Sequence, residues 1–392
     1  MIKGSLFISW IIIARLIGSE SFGLIGLIKS TVLVSTLIFL FGLPNEIIRR
    51  FSVEQTKQNF NKNNEIISGI FIGYFIIVLC ALFSAIFFYD IINQLFFESS
   101  LTYLNFLFFL CFFLSYSISI ILTSILNGLS KFTWQGFTNI ILSFFCIPVL
   151  FYATKLFSIN GALIGLIVIY FSQSISYGIE LYKSNFKFVF KFKVLLNLKT
   201  LLSNSKYIFL HEVFYSISNL VFLILLMKTL ALSDLGIYNA GDQLTQMILF
   251  IPTSVLGYFL NQFILKSEND AIKFRANFFK YSIIFSIVIA FITFLVKDLM
   301  VSLYGTQFNE LKNLFLLFII SIIPQIINAT YQQNFIADSR SLTLFKITFF
   351  NSLFLIIGAL LLYNFDVSVL LYFIILRLIN FVLITFSFKI LS

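Results

Sequence analysis

Charged and chemically reactive side chains are scarce in this sequence. Only 11% of its 392 residues are charged, where an ordinary soluble domain has roughly 25%, and the one histidine is His211. Cys80, Cys111 and Cys146 each lie alone inside an apolar run, which predicts neither disulfides nor metal ligands. No zinc spacing and no nucleophile–base pair can be assembled from these residues. We therefore predict no catalytic residue, no metal site and no cofactor.

The sequence also has no glycine-rich phosphate-binding loop before a predicted helix. We therefore do not expect the protein to use ATP as an energy source. What the sequence has instead is 60% hydrophobic residues and a mean hydropathy of +1.02. Such a chain has a lipid bilayer as its solvent. Its formal charge of +10 comes from Lys and Arg in loops between apolar runs, so we expect contact with anionic inner-leaflet lipids and not with nucleic acid.

Twelve apolar runs approach the length of about 20 residues that a membrane-crossing helix needs. They are 4–17, which is short, 22–43, 66–89, 104–126, 138–157, 161–182, 207–227, 241–265, 281–296, 313–336, 344–363 and 367–388. The first run lacks a small-residue cleavage site, so it is not read as a signal peptide. The predicted fold class is an all-α polytopic membrane protein with about twelve transmembrane helices.

The loops predict the orientation of the chain. One set of alternate loops carries seventeen Lys and Arg residues and the opposite set carries five. Because cytoplasmic loops hold the excess of positive charge, both termini are expected in the cytoplasm. The outward loops are short, whereas a membrane polymerase or ligase would need a large outward loop with clustered polar residues. We therefore predict that the protein is not an enzyme.

An internal repeat relates the two halves of the chain. A shift of 213 residues places ARLIGSESFGLIG over MKTLALSDLGIYN, so that Gly23 falls on Gly236. Six predicted helices separate the copies, which gives both halves the same orientation. We predict a six-helix lobe over residues 1–182, a basic cytoplasmic linker over 183–206, and a second six-helix lobe over 207–392. Two pseudo-symmetric lobes of this kind would enclose a central cavity.

The stretch from Ala14 to Arg50 carries a family resemblance. The string ARLIG-SESFGL, an apolar helix, FGLP-N and a basic RR pair resemble the amino-terminal signature of Wzx-type polysaccharide flippases. These transporters of O-antigen or capsule repeat units belong to the MOP superfamily, together with MATE drug exporters and lipid II flippases. The resemblance implies export of an undecaprenyl-diphosphate-linked oligosaccharide across the bacterial inner membrane by alternating access. It also implies the polysaccharide polymerase machinery of the lipopolysaccharide pathway as a partner.

Cations inside predicted membrane helices are the candidate substrate-binding residues. Lys29 lies about 10 Å below the outer surface and Arg377 about 15 Å deep, at 1.5 Å per residue. An intramembrane charge is costly and usually faces a cavity or a partner. A diphosphate with an anionic glycan would need such cations, and we expect Lys29, Arg377 and Arg15 to supply them. The alternatives are that Lys29 snorkels to the interface and that Arg377 forms a structural pair.

Acidic and titratable residues are candidates for gating or coupling. The repeat places Asp242 at the position of Lys29, so these two residues are predicted to pair across the lobes or to polarise the cavity. The alternative is that Asp242 caps a helix beginning at Gly241. His211 and Glu212 are candidates for a proton relay, although a single interfacial histidine is more often incidental.

Polar stripes mark helix faces that look inward. Asn219 follows Glu212 and Ser216 on the seventh predicted helix, and Gln325, Asn328 and Gln332 follow one another on the tenth. Such stripes serve helix packing more often than binding. Two further functions stay open. A MATE-like, ion-coupled drug or metabolite antiporter would need an acidic, aromatic cavity, and a non-transporting scaffold for envelope assembly would have a closed, apolar interior.

Overall fold

Helices make up the part of the chain that the computed structural model describes, residues 2–40, 44, 47, 60–98, 101–184, 206–265, 268–337, 340–365 and 369–391, with no strand among them. The helices are α1 Ile2–Leu40, α2 Phe60–Phe87, α3 Tyr89–Phe97, α4 Tyr103–Gly128, α5 Phe132–Lys183, α6 Lys206–Thr229, α7 Leu232–Leu265, α8 Glu268–Ser302, α9 Leu311–Ala337, α10 Ser341–Asn364 and α11 Leu370–Leu391. A 3₁₀ turn, Thr306–Phe308, precedes α9.

The helix α1 reverses direction at Gly18. This residue has φ 80° and ψ 176°, a left-handed conformation that glycine adopts without strain from a β-carbon. The Lys29 amine lies 4.7 Å from the centre of the Trp10 ring, whereas a straight helix would place these residues about 28 Å apart. The interruption between the first two apolar runs is therefore confined to Gly18, and helix resumes at Ser19.

The long helix α5 reverses in the same way at Ser158, which has φ 51° and ψ −126°. The hydroxyls of Thr138 and Ser176 lie 2.7 Å apart across the two arms. At Gly161 the backbone of Ala153 occupies the space that a β-carbon would take, so only glycine permits this approach. All helices except the short α3 are long, which makes ten. Because α1 and α5 each reverse and so contain two segments, the described residues form twelve long helical segments.

The described helices have the length and composition of membrane spans. Eight of them are long and apolar enough to cross a bilayer, or nine if the bent pair formed by residues 71–87 and α3 counts as one span. Two of the eight, α1 and α5, each contain two segments. Large apolar side chains lie on the outside, such as Phe144, which is 77% exposed. The prediction of an all-α membrane protein with about twelve helices is confirmed.

The chain divides into two compact units. The first contains residues 1–16 and 27–209, and the second contains residues 17–26 and 210–392. The short stretch 17–26, at the reversal of α1, thus packs with the carboxy-terminal half. The basic linker predicted over 183–206 falls mostly outside the described residues, as does the basic loop that follows Pro44. The division into two lobes joined by a linker, with bounds 1–182, 183–206 and 207–392, stays a prediction.

In the first unit, a set of polar side chains binds one another between α4 and the two arms of α5. We call Ser119, Asn139, Gln173 and Tyr177 the polar cluster. The Ser119 hydroxyl donates to the Gln173 side-chain oxygen at 2.6 Å. The Gln173 amide donates to Asn139 Oδ1 and to the Tyr177 hydroxyl, at 3.1 Å each, and that hydroxyl donates to Asn139 Oδ1 at 3.2 Å. Side chains of the protein therefore satisfy one another here.

In the second unit, residues 19–26 of α1 cross α7 closely. A β-carbon on Gly236 would collide with the backbone of Ser19, and one on Gly23 would lie 2.9 Å from the Gly236 nitrogen. The Asn239 amide donates to the Gly23 carbonyl at 3.3 Å. We call this contact the glycine crossing. Its two glycines are the residues that the repeat aligns, and small residues are what lets membrane helices approach so closely.

The start of α7 corrects one expectation. The predicted helix began at Gly241, but α7 begins at Leu232, and Asp242 lies well inside it. The alternative in which Asp242 caps the helix is therefore wrong. The stretch ALSDLGIYNA contains small and polar residues that lower its hydropathy, and it is helical because the glycine crossing packs it.

Candidate functional site

Arg377, one of the predicted cavity cations, lies in the middle of α11 in the second unit. Its guanidinium carbon is 5.1 Å from the centre of the Phe381 ring and 5.5 Å from that of Phe222. One terminal nitrogen donates to the Asn219 side-chain oxygen. Two aromatic faces and an amide thus hold the cation in place, and a desolvated cation–π contact contributes about 2 kcal/mol.

The hydrogen-bonding capacity of Arg377 is not used up by these contacts. Its Nε atom is buried and has no hydrogen-bond partner. In the described part of the chain, no carboxylate forms an ion pair with it. Arg377 does share a small cavity of about 10 Å³ with Asp242 and Tyr238. A buried guanidinium without a paired carboxylate is costly to the protein, and a bound anion would lower that cost.

A second and larger cavity in the same unit has a volume of about 220 Å³. We call it the polar cavity. Its walls come from α6, α7, α9, α10 and α11, and the side chains of Gln325 and Phe381 line both this cavity and the small one. Its lining residues are His211, Tyr215, Ser218, Gln246, Leu249, Gln325, Asn328, Ala329, Gln332, Thr348, Asn351, Ser352, Asn380, Phe381, Ile384 and Phe388. None of them is a carboxylate, a lysine or an arginine.

The polar contacts of His211 fit a neutral imidazole that carries its proton on Nδ1. Its Nδ1 atom contacts the Thr348 hydroxyl, and that hydroxyl also lies 3.0 Å from the Leu344 carbonyl, to which it donates. With this assignment Nδ1 donates to the hydroxyl oxygen. Its Nε2 atom lies 2.6 Å from the Gln332 amide nitrogen, which donates to it. Both ring nitrogens of a neutral imidazole are thus satisfied by residues of α9 and α10.

Four predicted residues of the polar stripes lie at these two sites. Gln325, Asn328 and Gln332 all line the polar cavity, as their spacing on one helix face predicted. Asn328 is held on both sides, because its amide donates to the Phe381 carbonyl at 3.0 Å and its oxygen accepts from Thr385 at 2.8 Å. Asn219, from the other stripe, binds Arg377.

Three further candidate residues line neither of the two cavities. Lys29 is in the first unit, half-buried over Trp10, and Arg15 is exposed in the same unit. Glu212 is half-buried on α6 and does not line the polar cavity. Lys29 and Asp242 belong to different units, so their pairing stays a prediction.

Sequence reasoning missed the walls that α10 and α11 contribute. Thr348, Asn351, Ser352 and Asn380 are buried and line the polar cavity, but they were not singled out. Asn351 and Asn380 are amides inside apolar runs, which is an unusual placement that could have marked them.

The comparisons with known proteins agree with this architecture. The chain resembles an inward-facing multidrug-resistance MATE transporter of the MOP superfamily, with a TM-score of 0.77, 11% identity, and coverage of 100% of this chain and 94% of that one. It also resembles the lipid II flippase MurJ in an inward closed conformation (TM-score 0.66, 18% identity, coverage 99% and 86%). A MOP superfamily transporter from Pyrococcus furiosus gives a TM-score of 0.66 at 13% identity (coverage 99% and 94%).

The fold is therefore that of the MOP superfamily transporters. No curated protein matches the chain in sequence. A family model described as polysaccharide biosynthesis protein matches residues 2–259, about two thirds of the chain. The chain belongs to this polysaccharide biosynthesis protein family, which agrees with the resemblance carried by residues 14–50.

Proposed function

We propose that this protein is a flippase that moves undecaprenyl-diphosphate-linked oligosaccharide repeat units across the bacterial inner membrane by alternating access. The family, the MOP fold and the similarity to a lipid II flippase support a transporter of lipid-linked saccharides. With both termini in the cytoplasm, the chain would receive its substrate after synthesis and deliver it to polymerase machinery on the far side.

The observation that carries the proposal is the state of Arg377. In the described part of the chain, the buried Nε atom of Arg377 has no hydrogen-bond partner, and the planar donors of a guanidinium match phosphate oxygens in two-point contacts. The adjoining cavity of about 10 Å³ has the space of about one water, so the diphosphate would bind in a state of the transport cycle in which this cavity is wider. Phe222, Phe381 and Asn219 hold it in one orientation, which lowers the entropy lost on binding. Lys29 and Arg15 would supply cations from the first unit. Asp242, Glu212 and His211 are the candidates for gating or coupling.

The test is to delete the gene and follow its lipid-linked glycans on each face of the membrane. Intact oligosaccharide-lipid should accumulate on the cytoplasmic face and return to normal with the wild-type gene. Arg377→Ala should reduce this rescue about a hundredfold, because one charged hydrogen-bonded contact contributes about 1.5–3 kcal/mol. Arg377→Lys keeps the charge but loses the planar fork, so it should rescue partly.

Arg340→Ala is the matched control, since Arg340 also stacks on a phenylalanine, at 4.7 Å from the Phe335 ring, but is exposed. It should rescue fully at equal protein level. If the deletion leaves lipid-linked glycans distributed as in the wild type, the flippase proposal is wrong.

A second candidate function, a MATE-like ion-coupled exporter, is favoured by Asp242, a carboxylate beside the same small cavity. For a cationic cargo, Asp242→Asn should abolish transport and Arg377→Ala should leave it intact. For the flippase, the ranking of the two variants is reversed. Measuring both variants in drug-efflux and glycan assays therefore separates the two functions.

A further inference from the structure

We propose that the polar cavity of the second unit binds a single neutral sugar ring. The inference rests on the proposed function, since it assigns part of the glycan a place inside one unit. It is independent of Arg377, which is assigned to the diphosphate. Four observations lead to it, and they concern size, charge, hydrogen bonding and shape.

The polar cavity is much larger than a single water molecule needs. One water needs about 10–15 Å³ of such space, and the polar cavity has about 220 Å³. It therefore has room for several waters or for one small molecule of about a dozen heavy atoms. The cavity is also accessible, because Gln246 and Tyr215 in its lining are exposed, Tyr215 to 39%.

The charge of the lining favours a neutral ligand. The described lining contains no carboxylate, lysine or arginine, and the contacts of His211 fit a neutral imidazole. A charged ligand would thus find no ion-pair partner among the lining residues, and the nearest charges, Arg377 and Asp242, belong to the adjoining small cavity. A polar molecule without net charge meets no such penalty.

The hydrogen-bonding groups match hydroxyls. Six side-chain amides line the cavity, and an amide has two N–H donors and an oxygen that can accept twice. Those of Gln325, Asn328, Gln332 and Asn351 make hydrogen bonds within the protein and keep further capacity, which a sugar hydroxyl can use because it both donates and accepts. Asn380 is the clearest case, because it is only 5% exposed and its Oδ1 atom has no hydrogen-bond partner. A buried unpartnered oxygen of this kind indicates that something else completes it.

The shape of the lining also favours a ring. Phe381, Phe388 and Tyr215 bring three aromatic side chains to a cavity that is otherwise polar. A pyranose has an apolar C–H face and a rim of hydroxyls, so an aromatic surface and a set of amides can be used together. Water alone would give the aromatic side chains no apolar contact inside the cavity. An apolar ligand would give the amides of the lining no hydrogen bond.

The single histidine makes this site directly observable. In protein labelled only at histidine with ¹⁵N and reconstituted in nanodiscs, every imidazole signal comes from His211, which lines the polar cavity. We expect a methyl glycoside from a panel of common hexoses, deoxyhexoses and N-acetylhexosamines to shift these signals in a saturable manner. The same glycoside should receive saturation transfer from the protein.

Asn380→Leu keeps the side-chain volume but removes the unpartnered oxygen, and it should weaken binding about tenfold through the loss of its hydrogen bonds to the ring. Asn105→Leu is the matched control. Asn105 is also a buried asparagine with an unpartnered Oδ1, but it belongs to the first unit. This variant should bind the glycoside like the wild type.

Three results would overturn the inference. The first is that no glycoside of the panel shifts His211. The second is that Asn380→Leu binds as the wild type does, which would place the sugar elsewhere. The third is that sodium or potassium chloride shifts His211 and the glycosides do not, which would make the cavity a cation site. Because binding is measured without transport, a failed flipping assay together with intact binding would count against the proposed function alone.

Discussion

Each unit contains a group of polar side chains among its helices, and the two groups differ in how they are packed. In the first unit, the polar cluster is closed, because Ser119, Asn139, Gln173 and Tyr177 satisfy one another. In the second, comparable residues surround the polar cavity. The shift of 213 residues places Ser119 on Gln332 and Asn139 on Ser352, both of which line that cavity. Two of the four cluster positions thus have polar counterparts in the second unit, whereas Gln173 and Tyr177 fall on Phe386 and Ile390. The side chains of the polar cluster bind one another, whereas those of the polar cavity leave a space between them.

This difference separates two roles for a polar group in a membrane protein. A network that is complete within the protein specifies one packing and makes the helices rigid. A cavity lined with amides can exchange partners, so it can receive a ligand or release one. We therefore expect the polar cluster to make its helices rigid, whereas the polar cavity, which shares Gln325 and Phe381 with the small cavity beside Arg377, is where we propose that a ligand binds.

The comparison predicts its largest effect at the centre of the polar cluster. Gln173→Leu leaves Ser119, Asn139 and Tyr177 without their shared partner, so the free energy of unfolding should fall by about 3–4 kcal/mol. Thermal unfolding in detergent measures this loss as a lower midpoint. Gln173→Glu keeps an acceptor for Ser119 but loses the amide donations to Asn139 and Tyr177 and buries a carboxyl group, so it should not restore the lost stability. If Gln173→Leu unfolds like the wild type, the cluster does not hold the first unit together.

Substitutions at the glycine crossing test whether the two aligned glycines contribute equally to the free energy of unfolding. Gly23→Ala and Gly236→Ala each place a β-carbon against the backbone of the other helix, so both should lose about 2–3 kcal/mol of unfolding free energy. Similar losses would support the equivalence of the two positions, which a thermal melt of each variant can compare.

Gly178→Ala is the control for both, because nothing lies within 4 Å of a β-carbon at that helical position. It should be neutral, or more stable by up to about 1 kcal/mol through helix propensity. A loss at Gly23 without a loss at Gly236 would contradict the symmetry.

The smallest effect on stability is expected in the polar cavity. Asn380→Leu removes an oxygen that has no partner in the protein, so the free energy of unfolding should change by less than about 1 kcal/mol. The contrast with Gln173→Leu is what distinguishes a cavity from a closed cluster. A loss as large as that of Gln173→Leu would show that Asn380 serves packing, which the same thermal melts would detect.

Much of the fold could be predicted from the lengths of apolar runs, since each membrane helix must satisfy its own backbone and therefore appears as a run of fixed length. The repeat even identified Gly23 and Gly236 as counterparts. The start of α7 was missed, because Leu232 to Ala240 is kept helical by packing against α1 and not by hydropathy.

The site was less predictable than the fold. Stripes on one helix identified Gln325, Asn328 and Gln332, because a single helix fixes their common face. The partners of His211 lie 121 and 137 residues away along the chain, and no local pattern connects them. Contacts between distant helices depend on tertiary packing, which one sequence does not specify residue by residue.

The position of residues 17–26 has a consequence for how the halves can be separated. This stretch belongs to the second unit although it lies in the first hairpin, and its Phe22 packs against Tyr304 and Phe308. A cut of the gene between the halves would therefore not yield two self-sufficient proteins. The carboxy-terminal fragment alone would lack residues 17–26, which contact Gly236, Tyr304 and Phe308.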